Sequence, residues 1–206
     1  MVISQSAAII FDFGGVLLNW DPHNLYRNFF KNAQEIDGFL SEINFPEWNF
    51  QQDKGRPFKE GIEQLSAQFP HYSHLISAYG EHWEESIVGP IDGTVSILER
   101  LKKAGYSVYG LSNWSAETFP IAYKKYDFFK LLDGIVISGE VKVAKPNPVI
   151  FEIMFKRIGR PPSECVLIDD SVPNILAAQK LGVITILFKS PPQLEIELKN
   201  ILSGDF

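Results

Sequence analysis

The feature that most constrains this chain is a regular alternation of short apolar runs and longer helical patterns, which becomes continuous from about residue 91. Apolar runs bounded by turn residues indicate buried strands, and apolar positions with a helical period indicate amphipathic helices. Strands are predicted at 7–13, 106–111, 134–137, 165–168 and 183–187, and helices at 95–104, 115–126, 148–158 and 173–181. Strands that alternate with helices in this way form a parallel sheet with right-handed crossovers. The sequence therefore predicts an α/β fold with a Rossmann-like parallel sheet core.

The stretch from about residue 21 to residue 89 breaks this alternation. It is rich in aromatic residues and helical patterns and contains no convincing strand. We expect a helical cap at 20–89, inserted after the first strand into a core formed by 1–19 and 90–206. An insertion at the carboxyl end of a central strand lies where α/β sheets bind ligands, so it is placed to act as a lid.

Charge and cysteine content narrow the classes of partner and the cellular location. The 19 Lys and Arg against 25 Asp and Glu give a net charge of −6. An acidic chain without a basic run is a poor candidate for binding nucleic acid, and no apolar window is long enough to span a membrane. Residues 1–6 lack the basic region of a signal peptide, and Cys165, the sole cysteine, excludes an intrachain disulfide. We expect a cytoplasmic protein, monomeric or weakly dimeric, with a buried structural thiol.

Four polar stretches end predicted strands or follow them closely. They contain Asp12, the pair Ser112 and Asn113, Lys145, and the pair Asp169 and Asp170. Because the carboxyl ends of parallel strands open on one edge of the sheet, these stretches can converge although they are far apart in sequence.

The chemistry of these residues suits transfer of a phosphoryl group. Asp12 can act as a carboxylate nucleophile, and together with Asp169 and Asp170 it offers the hard oxygen ligands that Mg²⁺ takes. Lys145 can offset the negative charge, and the hydroxyl of Ser112 with the backbone N–H groups after it can bind phosphate oxygens. Singly, each residue also fits a turn, a helix cap or a loop. The residues alone indicate an acidic metal site on an α/β sheet.

Taken together, the four stretches resemble the haloacid dehalogenase superfamily. The segment Phe-Asp-Phe-Gly-Gly-Val-Leu at 11–17 is similar to its first motif, and Ser112, Lys145 and the pair at 169–170 are similar to the other three. The helical insertion is similar to the capped branch, which includes the phosphatase domain of soluble epoxide hydrolases. Leu-Ser-Asn at 111–113 and Asp-Asp-x-x-x-Asn at 169–174 resemble bacterial glucose-1-phosphate phosphatases more closely.

The resemblance implies a magnesium-dependent phosphatase that acts on a small phosphorylated metabolite, such as a sugar phosphate, through an aspartyl-phosphate intermediate. It implies that Asp12 is the nucleophile and that Lys145 assists it. Phosphate would be bound by Ser112, Asn113 and Lys145. The metal ligands would be Asp12, Asp169, Asp170 and the backbone carbonyl of Gly14.

Gly14 departs from the pattern of the family. Most phosphatases of the family carry a second Asp at this position, two residues after the nucleophile, where it acts as general acid and base. With Gly14 that proton-transfer group is missing, which disfavours a phosphomutase. A missing acid predicts that rates fall steeply as the leaving group becomes more basic, unless another side chain supplies the proton.

Two other functions remain open. A 2-haloacid dehalogenase also uses an Asp nucleophile and needs neither a metal nor a second Asp, but the pair at 169–170 would repel a substrate carboxylate and a leaving halide. A phosphate-binding regulatory protein with little turnover would also tolerate Gly14.

The cap is expected to select the substrate, since a phosphate site is generic. The stretch 44–56 carries an aromatic ring and amides, and we predict that Trp48 and Gln52 contact the substrate. Trp20 and Trp114 could also line the cleft. The four histidines show no metal-binding spacing.

Overall fold

The sheet of this computed structural model, which describes residues 7–202 and 206, confirms the predicted α/β class. In the described part of the chain, one sheet contains the parallel strands β1 (Ala8–Phe11), β4 (Ser107–Ser112), β5 (Gly134–Ile137), β6 (Cys165–Asp169) and β7 (Ile184–Leu187). These five strands are ordered β5-β4-β1-β6-β7, with β1 at the centre. Residues 1–6, where the sequence predicts no signal peptide, lie outside the described residues.

Helices pack on both sides of the sheet. They are α6 (Asp92–Lys103), α7 (Phe119–Lys125), α8 (Ser138–Val141), α9 (Pro148–Ile158), α10 (Val172–Lys180) and α11 (Pro191–Ile201), with short 3₁₀ helices at Asp127–Leu131 and Pro162–Glu164. Successive side chains of β1 alternate between the two faces of the sheet, and this alternation shows how the core is divided. Ile9 and Phe11 pack into the larger apolar cluster, and Ala8 and Ile10 pack into the smaller cluster on the other face. Because β1 is covered on both faces, its sequence is continuously apolar.

The inserted segment is helical, as predicted, but it is bounded by a strand pair that was not predicted. It contains α1 (Pro22–Tyr26), α2 (Ala33–Glu42), α3 (Phe45–Asp53), α4 (Phe58–Gln68) and α5 (Ser73–Glu81), with 3₁₀ helices at Pro70–Tyr72 and Trp83–Ser86. Strands β2 (Leu18–Trp20) and β3 (Ile87–Pro90) pair antiparallel on either side of it. The expectation of no strand up to residue 89 was therefore wrong, because segments this short give no periodic signal.

Aromatic rings form the interior of the inserted segment. Tyr79 of α5 lies 4.9 Å from the ring of Phe45, 5.6 Å from that of Trp48 and 6.0 Å from that of Phe58. Edge-to-face and stacked contacts at these distances are favourable beyond the burial of area. The α3, α4 and α5 helices are therefore held together around one buried tyrosine.

Two helical predictions need correction. The helix predicted at 115–126 begins at Phe119, because Ser115 Oγ accepts a hydrogen bond from Glu117 N and closes a turn instead. The C-terminal helix α11 was not predicted. It starts with a capping box in which Ser190 and Gln193 bond each other's backbone N–H groups, followed by Pro191 in the first turn.

No helix within residues 7–202 is both long enough and apolar enough to cross a lipid bilayer.

Candidate active site

The four polar stretches meet at the carboxyl edge of the sheet. Asp12 directly follows the central strand β1, while Ser112 and Asp169 are the last residues of its two neighbours, β4 and β6. Lys145 reaches the same point from the loop after α8, and its ammonium group lies between two carboxylates. The structure therefore brings these predicted site residues together.

Both carboxylate oxygens of Asp12 are held in place. Oδ1 accepts hydrogen bonds from Phe13 N at 2.7 Å and from Ser112 Oγ at 2.8 Å, and Oδ2 lies 2.8 Å from Lys145 Nζ. Burial raises the pKa of Asp12, and the Lys145 ammonium opposes that rise. A buried carboxylate with a fixed orientation and a neighbouring cation is suited to nucleophilic attack.

Lys145 is fixed at both its side chain and its backbone. Its Nζ lies 2.6 Å from Asp169 Oδ2. Burial alone would lower the pKa of Lys145, but the charges of Asp12 and Asp169 outweigh burial and raise it. The side-chain amide of Asn113 brackets the Lys145 backbone, accepting from Lys145 N at 2.8 Å and donating to Lys145 O at 2.9 Å. The side chain of Asn113 therefore holds Lys145 in place, while the contact of Asn113 with phosphate stays a prediction.

Asp169 is completely buried, and both of its carboxylate oxygens accept hydrogen bonds. Its Oδ1 accepts from Ser171 N at 2.9 Å and from Asn174 Nδ2 at 3.0 Å, while Oδ2 faces Lys145. Asp170, by contrast, is exposed at the edge of the sheet. The two adjacent acids thus have different surroundings: one holds Lys145, and the other is open to a ligand.

The acidic cluster has the composition of a magnesium site. Oxygen atoms of Asp12, Asp169 and Asp170 lie within 4.8 Å of one another. Three carboxylates beside the single ammonium of Lys145 leave an excess of negative charge, which a divalent cation would offset. Gly15 has φ +74, and a Cβ on it would lie 2.1 Å from Asp170 Oδ2, so only glycine lets Asp170 approach this loop. The donors present therefore fit the metal that the resemblance implies.

Gly14 differs from Gly15 in its backbone conformation and in the space around it. Its φ lies outside the left-handed region, and a Cβ built on it would meet no atom within 4 Å. The backbone at this position therefore does not require glycine, and an aspartate would have space for its side chain.

A cavity of about 120 Å³ lies beside Gly14, between the sheet edge and the cap helices. Its walls include five aromatic residues, namely Trp20, Phe58, Tyr79, Trp83 and Trp114, and the polar residues Asn49, Asp53, Asn113, Ser115 and Thr118. A second cavity of about 600 Å³ continues outward and shares Trp20, Asn49 and Asp53 with the first. Trp20 and Trp114 line the cleft, as the sequence suggested.

Trp48 and Gln52 do not line either cavity, so the prediction that they contact the substrate is corrected. Trp48 Nε1 donates to Gly61 O at 2.9 Å, and Gln52 Nε2 donates to Trp48 O at 2.7 Å. Both side chains are buried between α3 and α4. Residues 48 and 52 are one helical turn apart and share the inner face of α3, whereas Asn49 and Asp53 share the face toward the cleft.

Sequence reasoning gave no role to Asn49, and it named Asp53 and Asn174 only as members of the stretch 44–56 and of the pattern at 169–174. Asn174 was part of the pattern at 169–174, and a side-chain amide one helical turn after an acid pair was the available signal. The sequence does not show which face of α3 meets the cleft. That face depends on where the helix starts, and the start is set by the left-handed backbone of Asn44 (φ 49).

The fold and the site define an α/β enzyme with an acidic centre at the carboxyl edge of a parallel sheet. The chain belongs to the haloacid dehalogenase-like hydrolase family, which matches residues 7–182. The resemblance found in the sequence is thereby confirmed.

Relatives of known activity and structure agree with this placement. The sesquiterpene phosphatase astK of Aspergillus oryzae is 28% identical over 196 residues, which cover 95% of this chain and 96% of that protein. Drimenol cyclase drtB of Aspergillus calidoustus is 35% identical over 112 residues, which cover 53% of this chain and only 21% of that protein. The HAD family enzyme bt-2542 of Bacteroides thetaiotaomicron, solved in complex with magnesium and inorganic phosphate, is 28% identical with a TM-score of 0.67, covering 90% of this chain and 95% of that chain.

Proposed function

We propose that this protein is a magnesium-dependent phosphatase that hydrolyses a small phosphate ester through a phosphorylated Asp12. The observation that carries the proposal is the fixed Asp12 carboxylate, held by Ser112 and Lys145 within reach of the open Asp170. The activity of astK and the magnesium and phosphate bound by bt-2542 support the same reaction class.

The chain's own residues supply distinct parts of this reaction. Asp12 attacks phosphorus, while Ser112 and Lys145 donate hydrogen bonds to the transferring phosphoryl oxygens. Asp169 keeps Lys145 in place through their 2.6 Å contact. Magnesium would be held by Asp12, Asp170, Asp169 and the Gly14 carbonyl, and it would neutralise charge on the phosphate.

A phosphatase fits the site better than a 2-haloacid dehalogenase. The exposed Asp170 and the buried Asp169 both lie near Asp12, so the site carries an excess of negative charge. Without a metal, this excess of negative charge would repel the carboxylate of a haloacid.

The walls of the cleft bear on the substrate. The five aromatic residues favour an ester whose organic group has an apolar face, and the amides and hydroxyls beside them can bind a few polar groups. A sugar phosphate, predicted from the sequence, meets both conditions through the apolar face of its ring. Phosphate esters of larger apolar alcohols are the second candidate, which the similarity to a sesquiterpene phosphatase favours.

We further propose that residues 20–89 form the substrate-selecting cap over a core of 1–19 and 90–206. The cap contributes Trp20, Asn49, Asp53 and Phe58 to the cleft. The buried free thiol of Cys165 suits a reducing compartment, so we place the protein in the cytoplasm.

The test is release of inorganic phosphate from sugar phosphates, aryl phosphates and prenyl phosphates, each with magnesium and with EDTA. Magnesium-dependent release from at least one class is expected. Halide release from 2-haloacids in EDTA would show a dehalogenase instead. Binding of phosphate without hydrolysis of any ester would show a binding protein.

A further inference from the structure

The missing acid at position 14 leaves the proposed reaction without a proton donor on the nucleophile loop. Another carboxyl group, that of Asp53 at the end of α3, lines the same cavity as Gly14. Asp53 lies close enough to Asp12 for the charge of Asp12 to act on it. No other acid lines this cavity among the described residues.

We propose that Asp53 is the general acid and base of this enzyme, delivered to the cleft by the cap. The inference rests on the proposed phosphatase function. In the first step Asp12 forms a bond to phosphorus, the bond to the ester oxygen breaks, and the Asp53 carboxyl gives its proton to that oxygen. In the second step the Asp53 carboxylate takes a proton from the water that attacks the acyl phosphate. Inorganic phosphate leaves, and both Asp12 and Asp53 return to their starting forms.

Hydrogen bonds orient the Asp53 carboxyl group. Asn49 Nδ2 donates to Asp53 Oδ2 at 3.2 Å, and Tyr79 OH donates to Asn49 Oδ1 at 3.1 Å. The backbone N–H of Ser115, from the core, also bonds to this carboxyl. A carboxyl held from both the cap and the core can keep one orientation toward the cleft.

The backbone around Asp53 is tied to the core at three points. Ser138 Oγ donates to Asp53 O at 2.5 Å, Lys142 Nζ donates to Gly55 O at 3.0 Å, and Phe58 N donates to Glu117 Oε1 at 3.0 Å. These contacts fix the end of α3 against the loops after β4 and β5. The position of Asp53 relative to the sheet edge is therefore set by specific bonds.

The surroundings of Asp53 also suit proton transfer near neutral pH. Burial raises the pKa of Asp53 to about 7, and the charge of Asp12 adds to this effect, while the Ser115 N–H lowers the pKa. Tyr79 faces it from α5, and His23 and Asp37 line the far side of the outer cavity. A donor is most effective when its pKa lies near the working pH.

The test compares Asp53→Asn with wild type on three esters of rising leaving-group basicity: para-nitrophenyl, phenyl and benzyl phosphate. The variant should lose about 10²–10⁴-fold in kcat/KM on benzyl phosphate and less than about tenfold on para-nitrophenyl phosphate. On benzyl phosphate, the wild-type rate should fall as pH rises through about 7, where the proton of Asp53 is lost, and this dependence should vanish in the variant. Release of para-nitrophenol by Asp53→Asn should show a burst, because without the Asp53 base the phosphoenzyme is hydrolysed slowly.

Two further variants separate chemistry from structure. Glu47→Gln changes an exposed acid of the same helix and should leave all three rates unchanged. Adding Gly14→Asp to Asp53→Asn should restore much of the rate on benzyl phosphate, because an aspartate side chain has space at that position. Recovery by an acid at a different site also shows that the variant is folded.

Equal losses on all three esters, or no loss on benzyl phosphate, would overturn the role of Asp53 while leaving the phosphatase intact. Wild-type protein that in magnesium releases no phosphate from these three esters, nor from the sugar and prenyl phosphates, would overturn the proposed function itself.

Discussion

The two ends of the cleft are built in different ways. At the sheet edge, the Lys145 ammonium contacts carboxylates at the ends of two strands at 2.6–2.8 Å, and Lys145 and Asp169 are almost completely buried. At the cap end, five aromatic rings line the cavity beside neutral polar groups and the acid Asp53. The difference shows that the strand ends fix the chemistry, whereas the faces of the cap helices determine what can reach it.

The largest effect is expected at the sheet edge, from Asp12→Asn. Turnover of any ester should fall more than about 10³-fold, because an amide cannot form the acyl phosphate. Folding should survive, since an amide oxygen can still accept from Phe13 N and Ser112 Oγ. Phosphate release and thermal melting measure the two properties. The control is Asp127→Asn, which alters an exposed carboxylate. If Asp12→Asn kept more than about a thousandth of the wild-type activity, Asp12 would not be the nucleophile.

The next effect should separate the two adjacent acids. Asp170→Asn should raise the magnesium concentration for half-maximal activity by at least about tenfold, because an open carboxylate ligand is lost. Asp169→Asn should raise it equally or less, since the oxygens of Asp169 are shared among Lys145, Ser171 and Asn174. A magnesium titration of both variants measures the concentration for half-maximal activity and shows which acid contributes more to metal binding. Full activity of the wild type in EDTA would contradict the metal site.

A smaller effect should sharpen the assignment of the cap residues. Trp20→Ala removes a wall shared by both cavities and should raise KM for benzyl phosphate several-fold while sparing acetyl phosphate, which has no ring. Trp48→Phe should leave both KM values unchanged. It should cost about 1–2 kcal/mol of stability, because Gly61 O loses the buried indole N–H bond. Initial rates give the KM values, and urea unfolding gives the stability. If Trp48→Phe changed substrate choice more than Trp20→Ala does, Trp48 would belong to the substrate site after all.

The smallest effect concerns stability and pH at the cap end. The pKa of Asp53 is raised in the folded protein from 3.8 to about 7. Its contribution to stability is therefore complete below pH 3.8 and is lost as pH rises through about 7. Discounted for partial exposure, Asp53→Asn should stabilise the protein by about 1–3 kcal/mol at pH 8 and very little at pH 4. Melting in EDTA at both pH values tests this, with Glu47→Gln as control. A gain that is the same at both pH values would show that ionisation of Asp53 is not its cause.

The sequence predicted the sheet edge well and the cap poorly, for a physical reason. Asp12, Ser112 and Asp169 are located by the ends of apolar runs, and parallel strands align those ends whatever the distance along the chain. Residues on α3 are located by the phase of a helix packed against other helices. The hydrogen bond from Ser138 to the Asp53 backbone spans 85 residues, and no local pattern predicts it.

The open space beside Gly14 also has an evolutionary consequence. Two of the four glycine codons become an aspartate codon by a single base change, and the backbone of Gly14 accepts a side chain without rearrangement. A lineage with this chain could therefore acquire an acid on the nucleophile loop in one mutation while it still carries Asp53 in the cap. Two proton donors would then coexist, and either could be lost without an inactive intermediate. Such redundancy gives a simple route by which relatives of one fold exchange the origin of a catalytic acid.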